Sequence, residues 1–171
     1  LFYSFSGNAR SLILGETHDV GAAEILRLRV LMVLPLGLLA LMLCSGVVGE
    51  GLLFVSLLVA RRAAEWLSEI FLSEKEVQGR GGAALAFFLL QGFFSVCLLL
   101  ALLDGGPLAF PITLLWALSP LLACTGGDLF KRCATSSVVL HKSFAQLLPH
   151  FGSTAVIGVS VYVFRLFILL V

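Results

Sequence analysis

Long Leu-rich apolar runs recur at about residues 30–48, 51–72, 83–103, 107–124 and 151–171, with a partial sixth over 1–14. A bilayer core of about 30 Å takes roughly 20 apolar residues of helix, so each full run reads as a membrane span. In hydrocarbon every backbone polar group needs an internal partner, which leaves helices or a closed barrel. The runs lack the alternation of barrel strands and are too long for them. The composition agrees: 60% of the 171 residues are hydrophobic and 12% charged, whereas soluble domains carry about 25% charged residues. The expected fold class is therefore all-α: a polytopic transmembrane helical bundle forming a single domain over residues 1–171.

The connections carry an orientation. Val48-Gly49-Glu50-Gly51 and Asp104-Gly105-Gly106-Pro107 are glycine-rich turns with one acid each and no base. The other loops are basic: 15–29 holds Arg27 and Arg29, 73–82 holds Lys75 and Arg80, and 125–150 holds Lys131, Arg132 and Lys142. Bases in alternate loops follow the positive-inside pattern. That places the three basic loops in the cytoplasm and predicts a multi-pass protein of the cell (inner) membrane. Residues 138–150 read as a short interfacial helix or an ordinary loop helix before the last span. Both ends lie in apolar sequence, so the chain reads as a piece of a larger membrane protein.

Charge inside a span is the second constraint. Arg61, Arg62, Glu65 and Glu69 all fall within the 51–72 run, with Arg61 near its middle. A charge at that depth costs at least about 2.5–3.5 kcal/mol, so such residues face a protein interior or a wet cavity. Arg61, Glu65 and Glu69 recur every fourth residue and share a helix face, with Arg62 three residues from Glu65. Each arginine can thus pair with an acid on its own helix. Two readings follow: an ion-pair ladder that aids packing, or a polar stripe lining a substrate path. Arg10 on the first helix and Arg165 in the last span can join that stripe, while Gln91 suits an interhelical hydrogen bond. Gly7, Gly37, Gly92 and Gly158 are expected at close helix approaches or bends, and Pro35, Pro111 and Pro120 at kinks.

Other chemistry is thinly represented. GxxxxGK[ST], GxSxG and HExxH are absent, so the chain reads as non-enzymatic and without a cofactor. Cys44, Cys97, Cys124 and Cys133 show no metal-ligand spacing and read as small hydrophobes. His18, His141 and His150 fall in or near the basic loops, also without metal spacing. Asp19, Asp104 and Asp128 lie in separate loops, unlike the clustered acids of a membrane-embedded glycosyl- or phosphotransferase. A net charge of +1 gives no reason to expect a nucleic-acid partner.

Three segments resemble polysaccharide (O-antigen-type) lipid flippases of the multidrug/oligosaccharidyl-lipid/polysaccharide exporter superfamily. Ser4-Phe5-Ser6-Gly7-Asn8-Ala9-Arg10 and the residues up to Leu14 look like that family's second helix. Residues 23–31 resemble the basic loop into its third helix, and residues 61–70 a segment of its fourth. The resemblance covers helices two to seven. It implies one lobe of a two-lobe transporter that moves an anionic lipid-linked glycan across the bilayer by alternating access. It further implies that Arg10, Arg61, Arg62 and Arg165 contact pyrophosphate oxygens, to which guanidinium offers bidentate hydrogen bonds. Glu65 and Glu69 would hold the arginines or couple transport to an ion, a proton or sodium. A different secondary transporter or permease subunit, and a purely structural membrane partner, are the alternative readings.

Overall fold

The computed structural model describes residue 2 and residues 9–15, 21–48, 51–125, 128–135 and 140–170; within these it leaves out the side chains of 45–48, 135, 140–144, 146–147, 150, 162–163, 165–167 and 169–170. Every regular element among the described residues is helical. They are α1 (Ala9–Leu14), α2 (Ala22–Val48), α3 (Leu52–Val77), α4 (Gly81–Asp104), α5 (Ala109–Leu118), α6 (Leu129–Thr135) and α7 (Leu140–Leu170), with a 3-10 segment, Ser119–Cys124, continuing from α5.

Glycine marks two of the stops. Gly79 and Gly105 take φ of +73° and +63°, a left-handed conformation that costs other residues about 1–2 kcal/mol. The Gly105 N–H closes α4 on the Ala101 carbonyl at 3.2 Å. The turn after α3 is equally tight: the Arg80 N–H reaches the Lys75 carbonyl at 2.8 Å.

Pairwise contacts fix the helix directions. Arg29 near the start of α2 meets Glu69 late in α3, so these two helices are antiparallel. Gln91 and Ser95 of α4 meet Ser119 and Trp116 respectively, so α4 and α5 are antiparallel. Arg61 and Lys75 of α3 reach Trp116 and Ala123, so α3 and α5 run parallel. Reversals of this kind bring the basic residues to one end of the bundle. There Arg10 bonds Glu76, Arg132 bonds Glu74, and the Lys75 ammonium donates to the Ala123 carbonyl at 3.0 Å.

Packing is concentrated at that same end. Ala9 and Leu12 of α1, Ile25, Leu26 and Leu28 of α2, Ile70 and Phe71 of α3, Leu129 of α6 and Phe151 of α7 form the main core. The rings of Phe71 and Phe130 lie 4.9 Å apart, within the range of favourable aromatic pairs. Much of the remaining surface of α2, α4 and α5 is apolar and uncovered. Leu34, Met42, Leu89 and Leu103 are exposed by 68%, 73%, 68% and 75%. A surface this apolar over several helices is far beyond the patches that water-facing monomers carry. Two helical stretches, Ala22–Cys44 and Gly81–Asp104, are long and apolar enough to cross a membrane. The 26 residues of α3 reach about 39 Å, also long enough to cross, at 1.5 Å per residue, but they carry the charges described above.

Four expectations are corrected. Residues 22–29, expected as loop, are the first two turns of α2. The expected span 107–124 is split: α5 ends at Leu118 and a 3-10 segment continues, because Pro120 has no N–H to extend the α-helical ladder. No break separates an interfacial helix from the last span, since α7 runs through Pro149 as one helix of 31 residues. Gly37 and Gly92 are not close-approach sites, because a Cβ added at either would meet open space. Pro35 sits inside an unbroken α2, and Pro111 falls in the first turn of α5, where proline is tolerated. Gly7 and most of the segment carrying the first-helix resemblance lie outside the described residues.

Candidate functional site

One face of α3 is polar from the middle of the helix to its end. Arg61, Glu65, Ser68, Glu69, Ser73 and Glu76 follow three- and four-residue spacing, which stacks them in a single stripe. All six line a cleft of about 260 Å³. From Arg61 to Glu76 the stripe covers about 22 Å of helix, running from mid-bundle to the basic end. The facing walls are Arg10 of α1, Phe87, Phe88 and Gln91 of α4, and Pro120.

Arg61 is the hub. Its side chain is only 10% exposed, and it lies about 14 Å from the start of α3. Its Nε pairs with Glu65 at 2.8 Å. Its Nη2 donates to Gln91 Oε1 at 3.1 Å and its Nη1 to Ser119 Oγ at 3.2 Å and to the Trp116 carbonyl. Its Cζ also lies 4.1 Å from the centroid of the Trp116 ring, a cation–π distance. The Trp116 carbonyl has a local cause for accepting a side chain. In a continuing α-helix it would accept from the N–H of residue 120, and residue 120 is proline. Arg61 and the Ser119 hydroxyl, at 2.8 Å, take that place. One guanidinium thereby ties α3 to α4 and to the end of α5.

A second arginine repeats this arrangement. Arg29 has no exposed surface. It pairs with Glu69 at 2.8 Å, donates to the Trp66 carbonyl and lies 4.8 Å from the centroid of the Trp66 ring. The Trp66 carbonyl lies within α3, so here the arginine uses a carbonyl's second lone pair. This bridge joins α2 to α3.

The expected site residues therefore divide. Arg10, Arg61, Glu65 and Glu69 come together along one cleft. Arg10 reaches it by holding Glu76 at 2.8 Å. Arg62 does not line the cleft: it is 68% exposed and holds the outer oxygen of Glu65 at 2.8 Å. Arg165 lies in α7, and its side chain is outside the described residues. Both Arg61 and Arg62 pair with an acid on their own helix, as expected, and that acid is Glu65 in each case. Glu69 pairs across helices with Arg29, which lies in α2 and not in a loop. Gln91 makes the expected interhelical bond, accepting from Arg61 at 3.1 Å; its Oε1 also lies 2.8 Å from the Ser119 hydroxyl, whose single proton goes either there or to the Trp116 carbonyl.

Two guanidiniums, of Arg10 and Arg61, and three carboxylates, of Glu65, Glu69 and Glu76, line the cleft. Arg29 and Arg62 offset this balance from outside it by holding Glu69 and Glu65. One donor is left over. Gln91 Nε2 is buried and has no acceptor among the described residues, an arrangement that costs about 1–3 kcal/mol. His18 and Asp19 lie outside the described residues, as do the side chains of His141 and His150. No group of three or more His, Cys, Asp or Glu among the described residues could hold a metal ion.

Outside the cleft, Cys133 of α6 sits near Arg27 and Glu24, and burial raises its thiol pKa above the ordinary value more strongly than Arg27 lowers it. No protein-family model, curated protein or solved structure matches this chain.

Proposed function

We propose that this chain forms one lobe of a polytopic helical translocator in a cell membrane, and that its cleft handles the anionic head group of a lipid-linked glycan. The basic end of the bundle, with Arg10, Lys75 and Arg132, is assigned to the cytoplasm. The glycine turns are assigned to the far side. The observation that carries the reading is Arg61, a nearly buried guanidinium at mid-helix that lines a cleft reaching from mid-bundle to the basic end. A purely structural ion pair needs no adjoining cleft. The exposed Leu and Phe side chains of α2, α4 and α5 support the bilayer as the surrounding solvent. Two other arginines take different roles. Arg29, with no exposed surface and with its own acid, belongs to the packing of α2 on α3. Arg62 holds Glu65 in place when Arg61 turns toward substrate.

The test is export of lipid-linked glycan by the full-length protein carrying single substitutions. Arg61→Gln should abolish export with membrane abundance unchanged. Arg62→Gln should reduce it by less than about tenfold, the effect of losing one exposed ion pair worth up to 1 kcal/mol. Normal export by Arg61→Gln would refute the phosphate-handling role. Transport of a small soluble anion in place of the lipid would assign the same cleft to a permease.

A further inference from the structure

Three consecutive residues near the end of α3 hold three different elements. Glu74 pairs with Arg132 of α6, the Lys75 ammonium donates to the Ala123 carbonyl of the 3-10 segment at 3.0 Å, and Glu76 pairs with Arg10 of α1 at 2.8 Å. Successive helical residues point about 100° apart, so one turn reaches three neighbours. The backbone of that turn is itself pinned. The carbonyls of Glu74, Lys75 and Glu76 accept from the N–H groups of Gln78, Arg80 and Gly79 at 3.0, 2.8 and 2.9 Å. Of the three contacts only Arg10–Glu76 belongs to the lining of the cleft. It closes the polar stripe at the basic end, and one nitrogen, Arg10 Nη2, spans both carboxylate oxygens at 2.8 and 3.1 Å. The Arg10 side chain is 55% exposed. Ser68, about 12 Å further along α3, lines the same cleft and is 3% exposed. The helices on either side are held together, since Ala9 and Leu12 of α1 pack with Ile70 and Phe71 of α3 in the main core. What is free to move at this end is the pair of side chains.

We propose that Arg10 and Glu76 form a bolt across the basic end of the cleft: paired, they bar solutes from it, and rotation of the two side chains opens it. Glu74 and Lys75 act as the frame, fixing α3 to α6 and to the 3-10 segment while the bolt moves. The weakness of an exposed ion pair suits this role. It favours the closed arrangement by about fivefold at most, and exposed side chains rotate within nanoseconds. A buried or apolar seal at the same place would need helices to part.

This inference stands apart from the translocator reading, and its test involves no transport. The full-length protein, with Cys44, Cys97, Cys124 and Cys133 replaced by alanine and Ser68→Cys introduced, is held in detergent micelles. Detergent covers the apolar flank of α4, so a neutral, polyhydroxylated methanethiosulfonate reaches the new thiol from the water-facing ends. Arg10→Gln and Glu76→Gln should each accelerate its modification about fivefold. The two substitutions change the local charge in opposite senses, so a shared acceleration reports the bolt and not the thiol's own reactivity. Exchanging the pair, Arg10→Glu with Glu76→Arg, should restore the slow rate. Glu74→Gln alters a contact outside the cleft lining and should leave the rate unchanged. An unchanged rate in both Arg10→Gln and Glu76→Gln overturns the proposal, and so do opposite effects of the two. Acceleration by Glu74→Gln equal to that by Glu76→Gln would report general loosening of the basic end and overturn it as well.

Discussion

Replacing Arg29 with Met should destabilise the bundle more than any other single removal of a charge described here. The side chain has no exposed surface, and its partner Glu69 is only 18% exposed. Removing the guanidinium strands a carboxylate in a site with little water, and breaking one member of a buried pair costs about 3–5 kcal/mol. It also removes the cation–π contact to Trp66, worth about 1–2 kcal/mol in a desolvated site. The Trp66 carbonyl contributes little to the loss, since it remains within the α3 ladder. Adding Glu69→Gln should restore most of the stability, because the stranded charge disappears while the shape is kept. Arg10→Met offers a contrast: that pair is 55% and 25% exposed, and exposed pairs contribute about 1 kcal/mol or less. The assay is unfolding of the full-length protein in mixed micelles titrated with dodecyl sulfate, followed by helicity and Trp fluorescence. An Arg29→Met loss no larger than that of Arg10→Met would refute the assignment of Arg29 as the bridge between α2 and α3.

Two further predictions follow from local geometry. Gly105→Ala should cost about 1–2 kcal/mol, since its φ is +63° and an L side chain is strained there; Gly37→Ala should be neutral or stabilising by up to about 1 kcal/mol, and the same dodecyl sulfate titration reads both. Maleimide labelling of Cys133 should stay slow through neutral pH and rise only above the ordinary thiol range, because its raised pKa keeps the unreactive protonated form to higher pH; a labelling curve centred on the ordinary thiol value would contradict the burial assigned to α6.

The legible and illegible parts of this fold separate along physical lines. Long apolar runs mark helices because their signal is additive over many residues, and α2, α3 and α4 lie close to where the runs put them. The Arg61–Glu65 pair was also legible, being set by local helix geometry. Arg29 is not legible because two arginines ahead of an apolar run look like a cytoplasmic loop; its acid lies forty residues away, and tertiary pairing leaves no local trace. The role of Pro120 does have a usable signal beyond a kink. A proline four residues after Trp116 frees a specific carbonyl, and a buried arginine is a natural donor to it. The continuity of α7 through Pro149 was hidden for a different reason. An interior proline removes one N–H and often ends a helix, but here the helix carries on to Leu170.

The arrangement of the chain in its membrane is tested most directly by labelling two positions at opposite ends of the bundle. In a full-length protein with Cys44, Cys97, Cys124 and Cys133 replaced by alanine, single cysteines are placed at Leu108, exposed at the glycine-turn end, and at Lys131, exposed at the basic end. A membrane-impermeant maleimide applied to intact cells should label Leu108→Cys and leave Lys131→Cys unmodified until the membrane is opened. Labelling of both positions, or of neither, in intact cells would contradict a bundle that crosses the membrane with its basic end inside.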